Sequence, residues 1–363
     1  MRVAIVHDWL VTNGGAEKVL KNIIELYPKA DIFALVDFLN RRERDNILLG
    51  KSTHTSFIQR LPFAKKRFRN YLPLFPKAIE SFDFSGYDLI ISSSWAVAKG
   101  VKRGKNQIHI SYCHTPIRYA WDLYSEYVSN LKQPKKFLVQ KSLEYIRWWD
   151  LKTVNRVDYF IANSKFVQKR IKKTYNRDSK VIYPPIEIDR FTLYEKKEDF
   201  YITASRLVPY KKTKLIVEAF NKMPSRELIV IGIGEELKSI RDIAKSNIKV
   251  LGYQKDEVLI EYMQKAKAFI YSAIEDFGIV PIEAVACGTP VIALNRGGTA
   301  ETIIDNINGI HFQEQRVSDI MEAIDRFETM EFDPQKVSKS AKKFATDRFK
   351  GEIEELLLSI LLF

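Results

Sequence analysis

The chain has 363 residues, 46% of them apolar, enough to build two domains of ordinary size, each with its own core. No apolar run approaches the roughly 18 residues of a membrane-spanning helix, which excludes a helical integral membrane protein; the two cysteines, Cys113 and Cys287, match no metal-ligand spacing and read as buried or incidental thiols of a reducing compartment. The net charge of +13 is unevenly spread: residues 1–180 carry 33 Lys and Arg against 16 Asp and Glu, whereas residues 181–363 carry 25 against 29.

Met1-Arg2 leads straight into an apolar strand, Val3 to Val6, with no secretory leader, so a cytoplasmic protein is expected. A loop through Gly14-Gly15 follows, then a helix whose Ala16, Val19, Leu20, Ile23 and Ile24 share one face. Further strands are predicted at Ile32 to Val36, Leu89 to Ser92, Ile108 to Tyr112, Tyr159 to Ala162 and Val181 to Tyr183, with Ser164 as the N-cap of a helix. Basic residues mix with aromatics at Phe57 to Lys77 and Lys132 to Trp149. That mixture suits an anionic bilayer surface, or else solvated helix faces whose aromatics pack inward.

Tyr183-Pro184-Pro185 breaks the alternation, and a polar stretch to Asp199 marks a linker near residues 184–198. Beyond it, strands near Tyr201 to Ala204, Leu228 to Ile231, Lys249 to Leu251, Phe269 to Tyr271, Val291 to Ala293 and Ile310 to Phe312 each precede a helical stretch, the pattern of a doubly wound sheet. From about Gln335 the chain reads as helix, ending in Leu356-Leu357-Leu358-Ser359-Ile360-Leu361-Leu362-Phe363. This tail is too short to span a bilayer; packing on the first domain is expected, with membrane contact or a subunit interface as alternatives.

The most informative segment is Glu275-Asp-Phe-Gly-Ile-Val-Pro-Ile-Glu283. Pro281 suits a first helical position and Gly288 a C-terminal cap, so Glu275 ends a strand and Glu283 falls in the first turn of a helix. The free amides and helix dipole between them can hold a diphosphate, while each carboxylate accepts hydrogen bonds from vicinal hydroxyls, one pair on a ribose and one on a hexose. Arg206, after a strand, and Lys211, at a helix start, can reach the same diphosphate. Taken alone, an Arg and a Lys five residues apart read by default as solvated surface, and Gly14-Gly15 as an ordinary tight turn.

EDFGIVPIEAVACGTPVI at 275–292 resembles the E-x7-E signature of the retaining glycosyltransferases of family 4, enzymes of the GT-B fold. HDWLVTNGGAEKVL at 7–20, SYCHTPIRYAWD at 111–122, ASRLVPYKK at 204–212 and GTPVIALNRGGTAET at 288–302 look like further landmarks of that family, in its order; Asp276 stands where many members carry Gly. The resemblance implies an α/β protein of two Rossmann-like doubly wound domains facing across a cleft. Residues 1–190 form the acceptor- and membrane-facing domain, joined by a C-terminal helix of about 340–363 that crosses back; residues 191–339 form the nucleotide-sugar donor domain.

The resemblance also assigns residues. His114 and Glu275 are the catalytic candidates, His114 beside the transferred sugar and Glu275 holding its hydroxyls; Gly15, Arg206, Lys211, Phe277, Gly278, Ile279, Val280 and Glu283 bind the donor. Arg118, Tyr119, Trp121 and Asp122 could shape the acceptor side. Configuration is retained, the acceptor hydroxyl attacking on the leaving-group face with the departing phosphate as its base. No cofactor and no metal is expected, since Arg206, Lys211 and the helix start meet the leaving group's charge.

The opening His-Asp-Trp-Leu, Arg-Tyr-Ala-Trp-Asp and Glu-Asp-Phe-Gly look most like mannosyltransferase-type members that build bacterial surface polysaccharide such as O-antigen. That suggests GDP-mannose as donor, a UDP-sugar being possible, and a polyprenyl-diphosphate-linked or saccharide acceptor at the inner face of the cell membrane. A sugar-nucleotide epimerase or hydrolase of the same fold is the alternative. A nicotinamide dehydrogenase lacks its Gly-rich fingerprint, and a basic nucleic-acid-binding protein lacks any recognised motif, so no nucleic acid partner is expected.

Overall fold

The computed structural model describes residues 1–129 and 131–361, the side chains of residues 126 and 361 excepted. The chain divides into two compact units, one of Met1–Pro184 with the segment from Lys350 onward, the other of Pro185–Phe349.

The first unit holds a seven-stranded sheet of β1 (Val3–His7), β2 (Asp31–Ala34), β3 (Thr53–Thr55), β4 (Leu89–Ser94), β5 (Ile108–Cys113), β6 (Tyr159–Ala162) and β7 (Ser179–Val181), in the order β3-β2-β1-β4-β5-β6-β7. All its neighbours pair in parallel. A parallel sheet is covered on both faces, which is why Val3–His7 and Leu89–Ser94 are buried at every position. The apolar alternation fails at the rims. Thr53-His54-Thr55 carries no such signal and is a strand only because it extends the ladder beside Ile32–Ala34. At the other rim, pairing ends at Val181, not Tyr183, because its partner strand ends at Ala162, whose carbonyl accepts the Ile182 N–H at 3.0 Å. Ser164 caps the Lys165–Tyr175 helix, its hydroxyl accepting from the Val167 N–H at 3.0 Å.

The second unit holds six parallel strands, β8 (Glu198–Ala204), β9 (Glu227–Ile231), β10 (Ile248–Gly252), β11 (Ala266–Tyr271), β12 (Val291–Leu294) and β13 (Gly309–Phe312), in the order β10-β9-β8-β11-β12-β13. Its core joins Tyr201, Phe220, Val230, Ile270, Ile292, Ile310 and Ile324.

The chain does not run as one helix from Gln335. A helix at Pro334–Ser340 and a tight turn at Ala341–Phe344 precede the last helix, Thr346–Leu361. Beyond Lys350 that helix buries Ile353 and Leu357 one turn apart, and Lys350 Nζ meets Glu25 Oε2 at 2.7 Å in the first unit. The predicted ending Leu362-Phe363 lies outside the described residues.

Candidate functional site

In open α/β sheets, ligands bind at the carboxyl ends of strands where strand order reverses. In the second unit β8 lies between β9 and β11, and the segments leaving β8 and β11 carry the predicted donor residues. Lys211 Nζ forms an ion pair with Glu275 Oε1, the Tyr271 hydroxyl donates to Glu275 Oε2 at 2.7 Å, and Lys211 Nζ lies 3.4 Å from that hydroxyl. Glu275 is thus held by two partners while its charge is neutralised. Burial, then Glu275, pushes the Tyr271 phenol well above its ordinary range, so it stays a donor. Arg206 is exposed, with Nη2 3.5 Å from the Tyr210 hydroxyl.

The turn after Glu275 differs from the expected one. Gly278 adopts φ +85° and caps the helix Ile279–Ala286, so Pro281 is its third residue and Glu283 falls beyond the first turn, buried. Pro281 costs nothing there, because the first four amides of a helix have no partner within it. Gly288 follows the helix with φ +77°, as a C-terminal glycine should. The first-turn residues Ile279 and Val280 are half-buried; the Phe277 side chain is buried against Phe344, which leaves its backbone as the part able to face a ligand. Gly297-Gly298 presses on this turn from β12: the Gly298 N–H donates to the Glu275 carbonyl at 2.8 Å, and a Cβ on Gly298 would collide with Phe277 backbone.

In the first unit β1 lies between β2 and β4, and β1 ends in His7 and β4 in Ser93-Ser94. His7 Nδ1 is 3.1 Å from Ser93 Oγ, which is 2.8 Å from His114 Nε2. Burial, reinforced by His7, depresses the His114 imidazole to about 3, so it is neutral at physiological pH. Asp8 is fully buried and accepts four backbone N–H groups, Trp95 and Ala96 at Oδ2 (2.6 and 2.8 Å) and Val97 and Ala98 at Oδ1 (2.6 and 2.7 Å). Gly15 opens the Gly15–Leu26 helix, and Glu17 Oε2 accepts the Gly14 N–H at 2.9 Å. The loop after His114 is pinned: Trp121 Nε1 donates to Asp150 Oδ2 at 2.8 Å, Asp122 pairs with Arg170, and Arg170 donates to the Thr115 hydroxyl at 2.7 Å.

The two basic aromatic segments split their side chains between core and solvent. In the helix Lys135–Lys152, Leu143, Ile146 and Trp149 face inward, while Phe137, Leu138, Tyr145, Trp148 and Leu151 are 40–63% exposed. Leu72 packs against the cluster of Ile117, Ala120 and Ile146, which brings the Phe57 to Lys77 segment, with Phe63 77% exposed, beside that helix. Among the described residues no helix is long and apolar enough to cross a membrane, and no group of three or more His, Cys, Asp or Glu could hold a metal ion.

Residues 13–190 match the model of Glycosyltransferase Family 4, and residues 186–344 match that of Glycosyl transferases group 1. The first unit thus carries a family 4 domain and the second a group 1 domain, and both have the α/β architecture of the GT-B fold. The chain is 26% identical over 279 residues to the mouse alpha-1,3/1,6-mannosyltransferase ALG2, covering 65% of this chain and 64% of that one. It is 29% identical over 178 residues to a GDP-mannose-dependent monoacylated alpha-(1-6)-phosphatidylinositol monomannoside mannosyltransferase of Corynebacterium glutamicum, covering 40% and 47%. The chain spans about half the length of most curated relatives it matches. Anabaena HepE, solved with UDP and glucose, has the same fold, with a TM-score of 0.71 at 19% identity over 99% of this chain and 100% of that one.

Within the group 1 domain, then, Lys211 and Glu275 are in contact, and Gly278, Ile279 and Val280 form the helix start beside them. In the family 4 domain, His114 and the Gly14-Gly15 loop come together through His7 and Glu17. Tyr271, Gly297, Gly298, His7, Asp8, Ser93 and Glu17 went unpredicted as site residues. Of these, His7, Asp8, Glu17 and the Gly297-Gly298 pair lay inside motifs quoted as landmarks, whereas Tyr271 and Ser93 lay outside them.

Proposed function

We propose that this protein transfers a hexose, mannose by preference, from a nucleoside-diphosphate sugar to a lipid-linked or saccharide acceptor, with retention of configuration and without a metal. The observation that carries this reading is the Tyr271–Glu275–Lys211 cluster at the reversal point of the second sheet, beside the helix start at Gly278. Glu275 accepts hydroxyls of the transferred sugar, Glu283 those of the ribose, and the first-turn amides of Ile279 and Val280 take the diphosphate with Arg206 and Lys211. In the family 4 domain, Gly15 permits close approach of the ligand and His114, neutral, hydrogen-bonds the sugar without adding a positive charge beside an oxocarbenium-like centre.

The relatives' names favour GDP-mannose, and HepE's bound UDP keeps a UDP-sugar as the competing donor. A lipid-linked acceptor suits the exposed Phe137, Tyr145, Trp148 and Phe63 among lysines and arginines, which we propose rest on an anionic membrane face in surface-polysaccharide synthesis.

Thermal shift against GDP, UDP, ADP and CDP, with Glu283→Ala beside the wild type, tests the donor site. A ligand at 100 times its Kd stabilises the protein by about 2.7 kcal/mol. Stabilisation by GDP that Glu283→Ala abolishes supports the reading; UDP in its place moves the donor to a UDP-sugar; no stabilisation by any of the four refutes the site.

A further inference from the structure

A buried polar chain in the first unit runs from the Gly14-Gly15 loop to His114. Glu17, with both carboxylate oxygens engaged, starts it: Oε2 accepts the Gly14 N–H at 2.9 Å, and Oε1 lies 3.7 Å from His7 Nε2. His7 is fully buried, its Nε2 has no hydrogen-bond partner among the described residues, and that nitrogen faces the Glu17 carboxylate. On its other side His7 Nδ1 meets Ser93 Oγ at 3.1 Å, and Ser93 Oγ meets His114 Nε2 at 2.8 Å.

Proton counting decides what this chain does. Ser93 Oγ is buried, and among the described residues its hydrogen-bond partners are the two imidazoles, so its one proton goes to one of them; with both rings neutral, one ring accepts from it and the other donates to it. A bare Nε2 lone pair on His7 would face the Glu17 carboxylate across 3.7 Å of low-dielectric interior, whereas an Nε2–H would point its positive end there. In its neutral form His7 therefore carries its proton on Nε2, Nδ1 accepts from Ser93, and Ser93 accepts from His114 Nε2–H. His114 Nδ1 is left without a proton. Burial keeps His114 neutral, so its tautomer is the variable that remains.

We propose that Glu17, His7 and Ser93 are positioning residues that set the tautomer of His114, presenting its Nδ1 as a hydrogen-bond acceptor to the bound substrate's hydroxyl. The functional half of this proposal rests on the transferase reading above; the tautomer itself does not. The arrangement also links His114 to the Gly14-Gly15 loop, since Glu17 accepts the Gly14 N–H and faces His7, which reaches His114 through Ser93.

Glu17→Gln makes a sharp test, because the Gly14 N–H orients the new amide. The carbonyl oxygen of that amide must stay on the Gly14 N–H, which turns its NH2 toward His7 Nε2. His7 then carries its proton on Nδ1 and donates to Ser93, Ser93 donates to His114 Nε2, and the His114 proton moves to Nδ1. Nitrogen-15 spectra of histidine-labelled full-length protein at pH 8, without ligand, read this directly, with the five histidines assigned by substitution. Wild type should show His114 protonated on Nε2, and Glu17→Gln on Nδ1. Ser93→Ala should make the His114 signals indifferent to Glu17→Gln, and it provides a second route if the first variant folds poorly. An Nδ1–H His114 in the wild type, or one unmoved by Glu17→Gln, overturns the proposal. Turnover of GDP-mannose, or of UDP-glucose if UDP is the stabilising nucleotide, is read in parallel. A fall in kcat/KM of about tenfold at unchanged nucleotide affinity is expected for one lost hydrogen bond. A tautomer that flips with no change in turnover overturns the functional half alone.

Discussion

Asp8→Asn replaces one oxygen of a fully buried carboxylate that accepts four backbone N–H groups, and keeps its volume. Whichever oxygen becomes the amide nitrogen, two of the four N–H groups lose their acceptor and face a donor. Leaving a buried donor unsatisfied costs about 1–3 kcal/mol, so the pair costs about 2–6 kcal/mol, a large part of the 5–15 kcal/mol typical of a whole domain. For a unit of this size each kcal/mol moves Tm by roughly 2–4 °C, and a loss of about 4 kcal/mol lowers it by about 8–16 °C. All five tryptophans, Trp9, Trp95, Trp121, Trp148 and Trp149, belong to the first unit. Tryptophan fluorescence during thermal or urea unfolding therefore reports that unit without the other. A shift below about 2 °C would refute the claim that Asp8 fastens the segment after β4 to the end of β1.

In the second unit, Gly278→Ala forces an alanine into φ +85° and should cost about 1–2 kcal/mol while weakening nucleotide stabilisation; an unchanged melt in the second unit's transition would argue against a strained cap. Arg226, bonded to Glu328 and outweighing the opposing burial, holds that carboxyl at about 2 against an ordinary 4.5, so its contribution is present above pH 4.5 and is lost as pH falls through 2. Discounted for partial exposure, this is about 1–2 kcal/mol at pH 6; Glu328→Gln should lose it there and match the wild type near pH 2 in urea titrations. Both thiols are buried, and burial pushes Cys287 up to about 12, so the native protein should leave an aromatic disulfide reagent unreacted at pH 8 and release two equivalents of thiol once unfolded.

The six strands of the second unit were legible as apolar runs because a parallel sheet buried on both faces demands them, and the turn after Glu275 was legible because a glycine stands between an apolar run and a helical stretch. The edge strand Thr53–Thr55 was not, since an edge needs no apolar pattern, and the helix start moved to Gly278 because a left-handed glycine outranks a proline whose position any of the first helical residues could fill. Tertiary structure alone decided the rest. His7 and Ser93 stand 86 residues apart, as do many pairs that never meet; they touch because β1 and β4 are neighbours, and that adjacency turns a histidine, a serine and a capping glutamate into one proton-ordered chain.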